Sequence, residues 1–250
     1  MIVFGDDFTD DGIEFGENSH GFLRNSNGPV WSEYLSRMLS CEKYTNYAHT
    51  GARSGYDNVH FSGWSGILWQ MEYHFINHPT TQPHSLIILQ AGGVAELLHR
   101  NENLDDNSHD DRQIDENVAH SALALIDNVD DGIIVVMNLI DPCEAPGYAS
   151  FANDEHDTLD VSTRVSKINS KLWKLVLTEG RTNPRVGLFD LNAAIVEATR
   201  RMNITTPFAH QRANLTSREI YNYAYHDQWY PSTFVHHKIA EKLIKFLEDL

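Results

Sequence analysis

The chain alternates short, unbroken apolar runs with longer stretches in which apolar residues return every third or fourth position. Ile2-Val3-Phe4, Ser85–Ala91 (SLIILQA), Gly132–Leu139 (GIIVVMNL) and Val186–Leu191 (VGLFDL) are the unbroken runs. Runs of this length predict strands buried on both faces. Pro29 is predicted to open a helix at its first turn, with Val30, Trp31, Tyr34, Leu35, Met38 and Leu39 along one side. Ile67, Leu68, Met71, His74 and Phe75 mark a second helix, and Val165, Ile168, Leu172, Leu175 and Val176 a third. A last helix is predicted from Thr233 to the C-terminus, with Val235, Ile239, Ala240, Leu243 and Leu247 facing inward. Strands alternating with helices predict an α/β fold, a three-layer α/β/α sandwich around a parallel central sheet. No repeat or linker interrupts the pattern, so residues 1–250 are expected to form a single domain. The acidic stretch Asn101–Glu116 is expected to be a solvated loop, because it lacks the glycine and terminal glutamate spacing of a calcium loop.

In parallel sheets, ligands bind beyond the carboxyl ends of the strands. The segment FGDDFTDDG, Phe4 to Gly12, occupies such an end and carries four carboxylates, Asp6, Asp7, Asp10 and Asp11.

Composition narrows the partners. A chain of 250 residues can bury one sizeable core, and 41% hydrophobic with 22% charged residues is ordinary for a soluble protein. The net charge of −16 argues against nucleic acid or an anionic membrane as partner. No apolar run approaches the roughly 20 residues that span a bilayer. No cofactor motif is present, and Cys41 and Cys143 fit neither a disulfide framework nor a metal site; they are two buried thiols or one bridge. Asn203-Ile204-Thr205 and Asn214-Leu215-Thr216 are glycosylation sequons, meaningful only in a secreted protein. No signal peptide precedes the first strand, so a cytoplasmic location is expected if Met1 is the native start and secretion if a leader has been removed. Composition says nothing about oligomeric state.

Five blocks in order give the chain a resemblance to the GDSL or SGNH hydrolases, particularly the fungal and plant-type lipases and acetylesterases. FGDDFTDDG resembles the family's FGDS-x-TDTG. Ser26-Asn27-Gly28-Pro29-Val30-Trp31, followed by Glu33-Tyr34-Leu35, resembles SNGPVW-x-EYL, and Asn46 to Ala52 (NYAHTGA) resembles NYA-x-GGA. Met137-Asn138-Leu139 is similar to the fourth-strand VTNLPP. Asp227 to Thr233 (DQWYPST), with His236, Ile239 and Ala240, resembles the terminal D-x-x-HPT-x-x-H-x-x-IA. The resemblance implies an SGNH-hydrolase, flavodoxin-like sheet and, in its usual form, serine-based ester hydrolysis. A serine in the first block attacks the ester, and a histidine three residues after an aspartate takes its proton. The oxyanion is held by the serine N–H, a second-block glycine N–H and a third-block asparagine.

This chain departs from that pattern at three places. The serine position is Asp7, the histidine position is Tyr230, and the third block's G-x-N-D reads Gly93-Val94-Ala95-Glu96, so its asparagine is Ala95. Gly51 and the triad aspartate, Asp227, remain. Losing one oxyanion donor costs about 2.7–4 kcal/mol of transition-state stabilisation. A carboxylate at ~4 Å from the oxyanion repels it by about 4 kcal/mol at an effective dielectric near ~20. Tyrosine, with an unperturbed pKa near ~10, is a poor base at neutral pH.

Three readings follow. The cleft is repurposed for a non-hydrolytic acid–base step (isomerisation, dehydration or cyclisation) on an apolar small molecule, with Asp7, Tyr230 and Asp227 as its catalytic set. Alternatively Asp7 fills the old oxyanion hole, and the protein binds a small ligand or a protein partner without catalysis. As a third possibility, His49 or His226 rescues an esterase. Gly51, His49, Ala95, His226 and Trp229 are the expected substrate-binding positions, and Tyr223 and Tyr225 are further candidates to floor the cleft.

Overall fold

The computed structural model describes residues 1–13, 24–80, 82–92, 94–98, 107–129, 131–148, 155–180, 185–210 and 217–250. Five strands, β1 (Ile2–Phe4), β2 (Thr45–Asn46), β3 (Ser85–Gln90), β4 (Gly132–Met137) and β5 (Val186–Phe189), form one sheet in the order β2-β1-β3-β4-β5. Every pairing is parallel. The chain steps outward from β1 to β2 and then returns past β1 to β3. The point of reversal lies between β1 and β3, and crevices at such points receive ligands.

Strand pleating divides the core into two layers. Ile87, Leu89, Ile134 and Val136 face one side of the sheet, and Ile88, Val135 and Met137 the other. The first side is covered by α2 (Ile67–Asn77), α4 (Asn107–Asn128) and α5 (Glu155–Gly180), which present Met71, Ile114, Val118, Val165 and Leu172. The second is covered by α1 (Trp31–Met38), α6 (Leu191–Thr199) and α8 (Thr233–Glu248), which present Trp31, Leu35, Leu191, Val235 and Ile239. The expected three-layer α/β/α sandwich is the architecture found. Two short helices, α3 (Val94–Leu98) and α7 (Ser217–Ile220), lie between these elements.

The start of α1 is fixed from a distance. Pro29 does not lie in its first turn: the helix begins at Trp31 with Val30 as N-cap. Valine offers no capping oxygen, so Glu33 Oε2 accepts the Val30 N–H at 2.9 Å, and His236 Nδ1 in α8 accepts the Trp31 N–H at 3.3 Å. His236 is buried, and burial followed by the nearby Arg24 pushes its pKa down to about 3, so the ring stays neutral and able to accept. Met38 and Leu39, expected on the apolar face of α1, are 38% and 39% exposed.

Residues 107–116 of the acidic stretch correct the sequence reading, while 101–106 lie outside the described residues. From Asn107 onward the stretch is the helix α4, because Ile114, Val118, Ala122 and Leu125 fall at helical spacing and are all buried against the sheet. A sparse apolar stripe among many polar residues hides this periodicity from a sequence window. No disulfide joins Cys41 and Cys143, and both are half-buried rather than buried. The sequon residue Asn203 is exposed, whereas residues 214–216 lie outside those described. Among the described residues no helix is long and apolar enough to cross a membrane.

The helical reading of α4 predicts that Ile114→Ala lowers unfolding free energy by about 2–5 kcal/mol in urea titrations. Glu116→Ala, on the exposed side, should change it by less than about 0.5 kcal/mol. Equal small effects at both positions would restore the solvated loop.

Candidate active site

β1 ends in a turn that packs too tightly for any side chain at Gly5. A Cβ there would lie 2.7 Å from Thr9 Cβ and 2.9 Å from Gln90 Oε1. The Thr9 and Asp10 N–H groups both return to the Asp6 carbonyl, at 2.9 and 3.0 Å. Gln90 Oε1, at the end of β3, accepts the Asp6 N–H at 3.1 Å and the Thr9 hydroxyl at 3.1 Å. Gln70 in α2 grips Gly5 through both its N–H and its carbonyl. The turn is therefore clamped by two buried amides on neighbouring elements.

Each carboxylate of the turn is assigned a partner. Asp6 Oδ1 accepts the Phe8 N–H, and Asp10 Oδ1 accepts the Gly12 N–H. Asp10 Oδ2 takes both the N–H and the hydroxyl of Thr50, at 2.7 and 2.8 Å. Asp11 accepts the Ile13 N–H and the Tyr44 hydroxyl. Asp7 Oδ1 receives two donors, the Gly51 N–H at 2.9 Å and the Tyr230 hydroxyl at 3.0 Å. Its other oxygen, Oδ2, has no hydrogen-bond partner among the described residues. Gly51 reaches Asp7 with a φ of +78°, and a Cβ there would meet Asn58 Oδ1 at 2.8 Å, so glycine is required on both counts.

Burial sets the protonation of this cluster. Desolvation, then the charge of Asp7, raises the Asp6 pKa to about 8. Desolvation also raises Asp7, although the Gly51 and Tyr230 hydrogen bonds pull against it. Tyr230 is pushed far up by burial and by the Asp7 charge, so its hydroxyl keeps its proton and remains a donor. Two adjacent carboxyls in one dry turn resist carrying two charges at once.

A cavity of about 670 Å³ opens at this turn. Asp7, Gly51, Trp229 and Tyr230 line it, as does Tyr225, so these expected site residues are brought together. Asp227, His49, His226 and Tyr223 do not line it. Asp227 Oδ1 instead accepts the N–H groups of Trp229 and Tyr230, at 2.9 and 2.8 Å, and so shapes the turn that presents the tyrosine. The His49 ring packs against Trp64, with centroids 5.0 Å apart. His226 Nδ1 is buried with no hydrogen-bond partner among the described residues. Ala95 belongs to α3, between the cavity-lining Val94 and Leu98, and Gly93 lies outside the described residues.

Sequence reasoning missed the rest of the wall. Asp6 lines the cavity together with Asp141 and Glu144, which follow β4, and with Val59, His60 and Ile195. The position of Asp141 and Glu144 just past the end of a buried strand was the available signal. Gly147 brings this wall to the terminal block: its N–H donates to the Gln228 carbonyl at 2.7 Å, and a Cβ there would meet Trp229 Cε2 at 2.8 Å. Among the described residues no cluster of three or more His, Cys, Asp or Glu is arranged to hold a metal ion.

No family model matches the chain, and no curated protein matches it. Solved structures do. A carbohydrate esterase whose active site displays divergent catalytic and non-catalytic binding functions aligns with a TM-score of 0.53 and 13% identity, covering 100% of this chain and 64% of the esterase. An acetyl-xylooligosaccharide esterase from Geobacillus aligns at 0.55 and 14%, covering 98% and 91%. An extracellular lipase from Streptomyces rimosus aligns at 0.53 and 12%, covering 98% and 97%. Likeness at such identities establishes architecture. The chain has the α/β/α fold of SGNH-type esterases and lipases.

Proposed function

We propose that this protein has given up ester hydrolysis and catalyses a non-hydrolytic acid–base step, such as an isomerisation, dehydration or cyclisation, on an apolar small molecule. One observation carries the reading: Asp7 lines a largely apolar cavity and is anchored through a single oxygen, to the Gly51 N–H and the Tyr230 hydroxyl, while its other oxygen has no hydrogen-bond partner among the described residues. Oδ2 is then the atom that gives or takes a proton. Burial moves the Asp7 pKa from the acid range towards the working range of a general acid or base. Tyr230 holds its own proton, so it stabilises the carboxylate each time Asp7 ionises. Asp227 acts through Tyr230 by fixing its turn, as a positioning residue.

Hydrolysis by the serine route is disfavoured by the same contacts. The Gly51 N–H, which the family resemblance assigns to the oxyanion, is already bonded to Asp7. An oxyanion arriving at ~4 Å from that carboxylate meets a repulsion of about 4 kcal/mol at an effective dielectric near ~20. The fold neighbours act on acetylated sugars and lipids, and this chain is read as their scaffold with a different reacting group.

Binding without turnover is the second reading. It is favoured by the closed Asp7–Gly51–Tyr230 set, in which each donor is already used.

Untargeted metabolite comparison of cells expressing wild type, Asp7→Asn or Tyr230→Phe separates the two. Catalysis predicts a compound that accumulates with Asp7→Asn, and on the purified compound a rate loss of about 10²- to 10⁴-fold. Tyr230→Phe, which removes one hydrogen bond to a charged group, should cost about ten- to a hundredfold. Identical metabolite profiles in all three lines would sink catalysis and leave binding. Turnover of para-nitrophenyl acetate by wild type, abolished in Asp7→Ala, would overturn the loss of hydrolysis.

The proton held at the Asp6–Asp7 pair gives a separate test. Asp6 titrates near 3.8 when unfolded and at about 8 when folded, so the folded state binds the extra proton between these values. Its contribution to stability is complete below the unfolded pKa and is lost as pH rises through the folded one. Melting temperature should therefore fall from mildly acidic to mildly alkaline pH in wild type, and fall less in Asp6→Asn, whose amide oxygen still accepts the Phe8 N–H. Parallel profiles would show that Asp6 is ionised throughout.

A further inference from the structure

Carboxyl groups reach the cavity wall from two parts of the chain: Asp6 and Asp7 after β1, and Asp141 and Glu144 in the loop that follows β4. The other polar residues of the wall are Thr50, His60, Ser166, Asn192, Tyr225 and Tyr230. Both Asp141 oxygens are occupied, accepting the Cys143 N–H and the Ser162 hydroxyl. Glu144 is exposed at the rim, and its carboxylate has no partner among the described residues. The Tyr225 phenol is pushed up by burial, then by the charges of Glu144 and Asp141, so both carboxylates reach the cavity electrostatically.

Among the described residues no lysine or arginine lines the cavity, and no ion pair engages Asp6, Asp7, Asp141 or Glu144. A low-dielectric wall whose carboxyl groups outnumber its basic side chains, of which His60 is the one among the described residues, repels an anion, is indifferent to a neutral molecule and draws in a cation. The rings of Tyr225, Trp229 and Tyr230 add electron-rich surfaces suited to an ammonium group. An anionic ligand, such as a fatty acid, fits the apolar wall but meets Asp141, Glu144 and the proton-sharing Asp6–Asp7 pair, with no lysine or arginine among the described residues to offset them.

We infer that the ligand is a cationic amphiphile, an apolar small molecule bearing a protonated or quaternary amine. This deepens the proposed function, on which it rests, by naming the charge class of the substrate. The amine is held by the acidic groups and aromatic rings while the apolar body packs on the apolar wall.

Three probes with one apolar body and different charge test the inference: phenylbutylamine, phenylbutanol and phenylbutanoate, titrated into the full chain at neutral pH and low salt. Heat release and Trp fluorescence report binding. The amine should bind about tenfold or more tightly than the alcohol, and the carboxylate should bind weakest. Raising salt to physiological ionic strength should narrow the gap. Glu144→Gln, a rim position with no packing role, should weaken the amine about threefold and leave the alcohol unchanged. Alcohol binding as tight as the amine, or a preference for the carboxylate, overturns the cationic ligand while keeping a ligand cavity. Silence from all three probes removes the cavity as a ligand site, and the proposed function falls with it.

Discussion

Carboxylates taken out of water must find donors or protons, and this protein takes four of them out within one turn of chain. Asp6, Asp10 and Asp11 are buried, and Asp7 is half-buried beside them. A hydrogen bond to a charged group contributes about 1.5–3 kcal/mol, whereas a charge left bare costs several. The donors that answer this demand come from far along the chain: Thr50 and Gly51, Tyr44, and Tyr230. Satisfying the turn therefore pins three distant segments to the end of β1, and that pinning is what forms the site.

The sheet makes the arrangement rigid. β1 is flanked on both sides by parallel neighbours, and its exit is held by Gln70 and Gln90, both fully buried amides. The second layer delivers the other side of the cleft. His236 bonds the start of α1, and Thr233 bonds both Asn27 and the Pro29 carbonyl, so the segment before α1 is tied to the start of α8. The turn carrying Tyr230 runs directly into α8. Packing of α1 against α8 thereby determines the Tyr230 to Asp7 distance.

Much of the fold was legible because its signals are local. Continuous apolar runs as short as SLIILQA have strand length and read as strands covered on both faces, and the stripe on α8 repeats at helical spacing. Where the signal is diluted the reading failed. In α4 the buried stripe of Ile114, Val118, Ala122 and Leu125 is surrounded by charged and polar residues, and the two-residue β2 is too short to show any period. The site was legible in part for the same reason. Asp7, Gly51, Trp229 and Tyr230 sit in short blocks whose order suggested a common cleft. His49 sits in one of those blocks and His226 beside another, yet their rings do not line the cavity. Adjacency in sequence does not fix the direction of a side chain.

Sequence by itself determined the layers, the parallel sheet and the chemical identity of the groups at the ends of the strands, because strand and helix periodicity depend on near neighbours alone. Only the tertiary structure decided that Asp7 bonds Tyr230 across 223 positions of chain, that Asp227 shapes a turn rather than facing the cavity, and that Asp141 and Glu144 share its wall with Asp7. Those outcomes depend on desolvation and on the meeting of distant segments. Both are properties of the packed chain, and neither is carried by any stretch of it alone.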